Sequence, residues 1–186
     1  MSKANSNQIT LFLVIIFSCC CCCCKFNSED VYFDNTAKKF ALLVLEENRI
    51  GQTYTMEYYQ DDSCFISYKT TFIGKINNSK GDSLNFMLYN VYYGIYEDCP
   101  RTSSRILIFK ENKLLGYYYI EGGFERTPII NGSDLIIFPF EWDEECYLTT
   151  TISFRDSIPQ EISIKYCNQG DSIVSGEVFS FCKEKY

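Results

Sequence analysis

The acidic segment at residues 141–145, EWDEE, places four carboxylates around the only tryptophan of the chain, in a loop between two predicted strands. Hard cations take several oxygen ligands, so a cation site is one use that these residue types suggest. The segment lacks the Asx and glycine periodicity of a calcium-binding loop, and a solvated acidic loop explains the same composition. A sugar or a basic partner is the third interpretation. The residues concerned are Glu141, Trp142, Asp143, Glu144 and Glu145.

Tyrosines form a second group of candidate binding residues. Their rings offer flat apolar area with a polar tip, which suits a glycan or peptide ligand. If they share one face of adjacent strands, we expect an aromatic platform, and otherwise we expect core packing. The candidates for the platform are Tyr89, Tyr93, Tyr117 and Tyr119, with Tyr92, Tyr96 and Tyr118 beside them.

Histidine is absent from the chain. Its absence excludes Ser-His-Asp and Cys-His nucleophilic chemistry and the imidazole ligands typical of catalytic zinc. No catalytic motif, cofactor motif or metal-ligand spacing is found elsewhere. A hydrolase that acts through a pair of carboxylates remains the enzymatic alternative, because glycoside hydrolysis needs no histidine.

The formal net charge of −7 argues against nucleic acid as a partner, since phosphate binding depends on a basic surface. An acidic surface could instead complement a basic protein. An immunity-type protein that neutralises a secreted toxin is therefore one of the hypotheses for function.

Residues 11–24 read LFLVIIFSCCCCCC, an apolar run followed by a serine and six cysteines. The segment before them has one positive charge, Lys3, and no acid, which is the layout of an export signal. The apolar stretch, taken as far as Phe26, is shorter than the roughly 20 residues that a membrane-spanning helix needs. We therefore expect an export signal and not a permanent span.

The residues Ile16, Phe17, Ser18 and Cys19 resemble the lipobox of bacterial lipoproteins, with a branched apolar residue at −3 and a small residue at −1. The resemblance implies cleavage before Cys19, diacylglycerol on its sulfur and an acyl group on the new amine. Several acyl chains give stable anchoring, whereas one chain binds only marginally. The expected location is the periplasmic or extracellular face of a membrane.

This interpretation divides the chain into a signal peptide at 1–18, a cysteine-rich start and tether at 19–34 and one β-rich globular domain at 35–186. Two alternatives remain open for the cysteine run. It could be a palmitoylation cluster next to a membrane, or part of a simple signal peptide that carries no lipid.

Five cysteines follow the run. In an exported protein they are disulfide candidates, but an odd number cannot all pair internally, and their spacing contains no compact zinc signature. The sequence does not determine the pairing. The five are Cys64, Cys99, Cys146, Cys167 and Cys182.

One helix is predicted over residues 35–50, because Ala37, Ala41 and Val44 share a helical face and Gly51 supplies a stop. A strand over residues 40–45 is the alternative for this region. After Gly51, aromatic and β-branched runs alternate with turn clusters, which is typical of all-β folds. The predicted strands are 53–60, 64–76, 83–93, 104–110, 114–121, 128–130, 135–140, 146–154, 161–166 and 173–182.

These elements predict a mainly β protein: an antiparallel β-sandwich or barrel with meander connections and one N-terminal helix. The run at 84–96 is apolar on both faces, so we expect a central strand that is covered on both sides. Residues 97–105 are predicted to be a long polar connection. The favoured function is a lipid-anchored, non-catalytic binding module for a glycan or protein ligand.

Overall fold

A computed structural model describes residues 35–61, 64–94, 101–124, 126–138, 149–168 and 171–184. These residues all belong to one compact unit, Asn35–Tyr186. They form one helix and ten strands. No helix among these residues is long and apolar enough to cross a membrane.

Helix α1 spans Asn35–Glu47, and its buried residues Ala37, Ala41, Val44 and Leu45 recur at the spacing of one helical face. The helix ends three residues before its predicted end. Asn48 adopts the left-handed conformation with φ 51°, and its N–H donates to the carbonyl oxygen of Leu45. Asparagine tolerates this conformation well, and it stops the helix one turn before Gly51.

The large sheet contains seven antiparallel strands in the order β1-β2-β3-β4-β5-β10-β9. The first five strands follow one another as a meander, as predicted. Their bounds are Thr53–Asp61 for β1, Cys64–Asn77 for β2, Ser83–Gly94 for β3, Arg101–Lys110 for β4, Lys113–Glu121 for β5, Glu161–Asn168 for β9 and Asp171–Lys183 for β10.

The small sheet consists of β6 (Ile129–Asn131), β7 (Asp134–Ile137) and β8 (Thr150–Ser153) in sequence order. Gly132 at φ 63° makes the two-residue turn between β6 and β7, where a positive φ is required. Strand β6 contacts β2 and strand β8 contacts β9, so the small sheet spans from one side of the large sheet to the other. The predicted fold class, an antiparallel sandwich or barrel with one N-terminal helix, is confirmed.

The hydrophobic core lies between the two sheets. Phe86 of β3 meets Phe154, which follows β8, in an edge-to-face contact with ring centroids 4.7 Å apart, and both side chains are fully buried. Tyr118 is also buried here, its hydroxyl donates to the carbonyl oxygen of Pro159 at 2.6 Å, and burial raises the pKa of its phenol. We call this side of the large sheet the core face.

We call the opposite side of the large sheet the helix face, because α1 contacts β2 and β3 and its buried residues do not belong to the core cluster between the sheets. Met87 of β3 and Leu107 of β4, which alternate with core-face residues, are fully buried on it. Strands β3 and β4 are therefore covered on both sides, as predicted for β3. Lys38 of the helix forms an ion pair with Glu184, just after β10.

Strands β5 and β10 approach each other closely at Gly116. A Cβ atom at this position would collide with the carbonyl oxygen of Cys182 and with the ring of Phe181. Glycine is therefore required here, and it allows β10 to join the sheet directly beside Tyr117 and Tyr118.

Candidate functional site

A row of polar side chains crosses five neighbouring strands of the large sheet. The strand register pairs Tyr54 with Thr70, Thr70 with Tyr89, Tyr89 with Arg105, and Arg105 with Tyr119. Directly opposed residues point to the same side of a sheet, so all five lie on one face. Tyr89 alternates with core-face residues of β3, which places the whole set on the helix face. We call these five residues the polar row.

Arg105 lies in the interior of this row and is only 1% exposed. Its Cζ lies 5.0 Å from the ring centroid of Tyr119 and 5.6 Å from that of Tyr117. A buried cation is costly without compensation, and the negative faces of aromatic rings attract it. Arg105 therefore has favourable contacts with two tyrosine rings that follow each other along one face of β5.

Tyr89 occupies the centre of the row and is fully buried. Its ring stacks on Tyr68, with centroids 5.7 Å apart and planes at 26°. This side chain is part of the packing and does not present a ring to solvent.

The other three tyrosines predicted for a platform, Tyr93, Tyr117 and Tyr119, are half-buried on the same helix face. Tyr92 and Tyr118 lie on the opposite side. The Nζ of Lys69 lies 4.7 Å from the ring centroid of Tyr92, while Tyr118 belongs to the core. The structure thus brings the four predicted tyrosines to one face, and ligand binding by them stays a prediction.

Buried hydroxyls without partners distinguish the helix face. Tyr54 Oη, Thr70 Oγ1 and Ser103 Oγ are buried, with no hydrogen-bond partner among the described residues. Thr70 is 0% exposed and Ser103 is 3% exposed. Ser103 lies on β4 two residues before Arg105, and hence on the same face. Such atoms are rare in folded proteins, because an unmet buried hydroxyl costs about 1–3 kcal/mol.

Two buried hydroxyls away from the helix face, those of Ser104 and Thr150, have hydrogen-bond partners. Ser104 Oγ, on the core face, lies 2.7 Å from Asn90 Oδ1 and 2.8 Å from the carbonyl oxygen of Gly122. Thr150 Oγ1 accepts a hydrogen bond of 2.9 Å from the N–H of Lys165. The unmet hydrogen-bonding capacity therefore accumulates around the polar row, where Arg105 also lies.

The acidic segment with Glu141, Trp142, Asp143, Glu144 and Glu145 lies outside the described residues, and so does Cys19. The cation, sugar and hydrolase hypotheses for that segment stay predictions. Within the described ranges, no group of three or more His, Cys, Asp or Glu residues could hold a metal ion.

Of the five disulfide candidates, Cys182 has a described side chain, and it is an exposed free thiol. It lies opposite Tyr117 in the sheet. Cys64 lies in β2 and Cys167 in β9, but their side chains are outside the described part, as are residues Cys99 and Cys146.

The sequence prediction of a polar connection over residues 97–105 is wrong in its second half. Strand β4 begins at Arg101, and residues 103–109 are buried. The alternation of Arg101, Ser103 and Arg105 was the available signal, but these residue types are also typical of loops. Tyr54 and Thr70 were missed for another reason, since only the register of five strands shows that they share a row with Arg105.

Comparison of the chain with models of known families, with curated proteins and with solved structures finds no match in any of the three. No relative therefore supplies a function. The helix face combines tyrosine rings next to a buried arginine with buried hydroxyls that have no hydrogen-bond partner among the described residues.

Proposed function

We propose that the protein is a membrane-tethered, non-catalytic binding module that contacts its ligand through Tyr93, Tyr117 and Tyr119 on the helix face. The observation that carries the proposal is the contact of Arg105 with two of these rings, at 5.0 and 5.6 Å. A pair of half-exposed aromatic rings held by a buried cation is a pre-organised contact surface.

Pre-organisation matters because binding costs the freedom of each side chain that it immobilises. Tyrosine has two side-chain torsions, and these rings are already restrained by Arg105 in the free protein. The rings supply apolar area and their hydroxyls supply directional hydrogen bonds. This combination suits the ring of a sugar or an extended peptide.

The binding test compares the wild-type chain with Tyr117→Ala/Tyr119→Ala, both as full chains in detergent micelles. The probes are an oligosaccharide array and a peptide array. Tyr92→Ala is the matched control, because Tyr92 is also half-buried and contacted by a cation but lies on the core face.

We expect the double variant to bind at least about tenfold more weakly and the control to bind as the wild type does. The proposal fails if the folded wild-type chain binds neither array, or if the control loses as much affinity as the double variant. Circular dichroism confirms that each variant is folded.

The tether is proposed to be lipid on Cys19, on the periplasmic or extracellular face of a membrane. The supporting features are the sequence of residues 16–19 and the short polar segment at residues 25–34, just before α1 begins at Asn35. Metabolic labelling with a fatty-acid analogue tests it. A Cys19→Ser chain that still incorporates label and stays in the membrane fraction refutes the assignment.

A further inference from the structure

We propose that strand β1 is a docking edge for a second copy of this chain, which adds its own β1 in the antiparallel direction. Strand β1 lies at one end of the seven-stranded sheet, with β2 as its neighbour in the strand order. Backbone N–H and C=O groups alternate in direction along a strand, so every second pair of them in β1 points away from β2. The edge is therefore a row of donors and acceptors to which another strand can bind.

The two edges of the large sheet differ. At one edge, β8 of the small sheet contacts β9, and the N–H of Lys165 donates to Thr150 Oγ1 at 2.9 Å. At the other edge, β6 of the small sheet contacts β2. The residues Thr53, Thr55 and Glu57 on that side of β1 are exposed. The small sheet therefore protects the β9 edge, while its contact at the other end lies one strand inside the β1 edge.

The sequence of β1 is suited to pairing with another strand. Its nine residues, TYTMEYYQD, contain no proline and no lysine, the residues with which natural proteins often block an edge. The register with β2 is regular from Thr53 to Tyr59, and the one irregularity follows, between Tyr59 and Asp61. A regular stretch of this length is enough for a ladder of backbone hydrogen bonds with a second strand.

The side chains of β1 match those of a second β1 when the twofold axis passes through Thr55. Thr53 then lies opposite Glu57 of the second copy on the exposed side, and Tyr54 lies opposite Met56 of the second copy on the helix face. Tyrosine and methionine form a favourable sulfur–aromatic pair, and these pairs oppose no two like charges. An axis through Glu57 would place two carboxylates opposite each other, which disfavours that register.

An exposed apolar side chain extends the surface at the start of β1. Ile50 is 71% exposed, and its Cδ1 lies close to Gly74 of β2, as does that of Ile130. In the antiparallel arrangement, the strand of the second copy runs on past its Glu57 to Asp61, across the end of β1 that is next to Ile50. Pairing therefore shields apolar area that the single chain leaves in water.

Pairing about this axis joins the two large sheets into one, because an antiparallel ladder continues a sheet. The axis is normal to the sheet, so the helix faces of both copies point the same way. The dimer therefore presents two sets of Tyr93, Tyr117 and Tyr119 on one side, which allows bivalent binding to a repetitive ligand. This consequence rests on the proposed function, whereas the pairing itself does not.

The test measures the protein mass of the full chain in detergent micelles by light scattering after size-exclusion chromatography, over a range of concentrations. Thr55→Lys puts two positive charges opposite each other on the axis, at an exposed position outside the core. Ser163→Lys is the matched control, because Ser163 is exposed on the other edge strand, β9. Circular dichroism confirms that each variant is folded.

Photo-cross-linking locates the contact. Benzoylphenylalanine replaces Thr55 in a mixture of ¹⁵N-labelled and unlabelled chains, so that a cross-link between two copies joins peptides of mixed isotope content. We expect such cross-links to fall within residues 53–57 of the second copy. We also expect the wild type and Ser163→Lys to have the mass of two chains, and Thr55→Lys to raise the dissociation constant of the dimer at least about tenfold.

A wild-type chain that stays monomeric over the whole concentration range overturns the inference. A dimer that Thr55→Lys leaves intact, that Ser163→Lys weakens as much, or that cross-links outside β1 overturns it too. These results leave the proposed function standing, because Tyr117 and Tyr119 lie on β5, with β2, β3 and β4 between them and this edge. An intact dimer that binds neither the glycan array nor the peptide array overturns the proposed function alone.

Discussion

Replacing Thr70 by valine should stabilise the ligand-free protein, although most substitutions of buried residues destabilise. Thr70 is fully buried and its Oγ1 has no hydrogen-bond partner among the described residues. Valine has the same branched shape and a similar preference for strands, so the packing is retained while the unmet hydroxyl is removed.

The expected gain is the cost of a buried hydroxyl without a partner, about 1–3 kcal/mol in the free energy of unfolding. For a domain of this size, each kcal/mol shifts the midpoint of thermal unfolding by about 2–4 °C. The midpoint should therefore rise by about 2–12 °C. Thermal unfolding of the full chain in micelles, followed by circular dichroism, measures it.

Thr150→Val is the control for this prediction. Thr150 is also buried, but its Oγ1 accepts a hydrogen bond from the N–H of Lys165, so valine there should lower the midpoint. If Thr70→Val lowers the midpoint as much as Thr150→Val does, the hydroxyl of Thr70 has a partner, and the argument from unmet groups in the polar row is refuted.

Three further predictions concern the fold. Gly116→Ala should lower the free energy of unfolding by about 1–3 kcal/mol, because the Cβ of the alanine collides with the backbone of β10. An unchanged midpoint of thermal unfolding would contradict this. Phe154→Ala should lower the free energy of unfolding by about 3–5 kcal/mol, because it leaves a cavity in the core. Ile129→Ala, at a side chain that is 47% exposed, should change the midpoint of thermal unfolding little, and equal effects of the two variants would refute the position of the core. The carboxyl pKa of Asp82 is lowered by its hydrogen bond to Lys110, so the pair contributes stability above the unfolded pKa that is lost as pH falls through the folded pKa. Asp82→Asn should therefore have a lower midpoint than the wild type at pH 7, and the difference should vanish in acid; a difference that persists at pH 2 would exclude the ion pair as its cause.

Local pattern was sufficient to predict most of the fold. Turn residues such as Gly132 and the alternation of aromatic residues separate the strands, and the spacing of Ala37, Ala41 and Val44 favours the helix. The boundaries were less accurate, since the end of α1 depends on one asparagine in a left-handed conformation and not on the glycine that follows it.

The candidate site was only partly predictable. Tyr89, Tyr93, Tyr117 and Tyr119 were identified from residue type, and the structure places all four on one face. Arg105 became a candidate only because it lies opposite Tyr89 on β3 and Tyr119 on β5. That placement depends on the pairing of three strands and not on the residues next to Arg105 in the sequence. A charged residue in the middle of a strand gives no such signal by itself.

The most direct test of the central claim is an NMR titration of the full chain in micelles with ¹³C-labelled tyrosine rings, assigned by single Tyr→Phe variants. The titrant is the best-bound glycan or peptide from the arrays. If the helix face is the binding surface, the ring signals of Tyr93, Tyr117 and Tyr119 shift on titration, while those of Tyr92 and Tyr118 on the core face stay in place. Shifts confined to Tyr92 and Tyr118, or no ring shifts at saturation, would contradict the account.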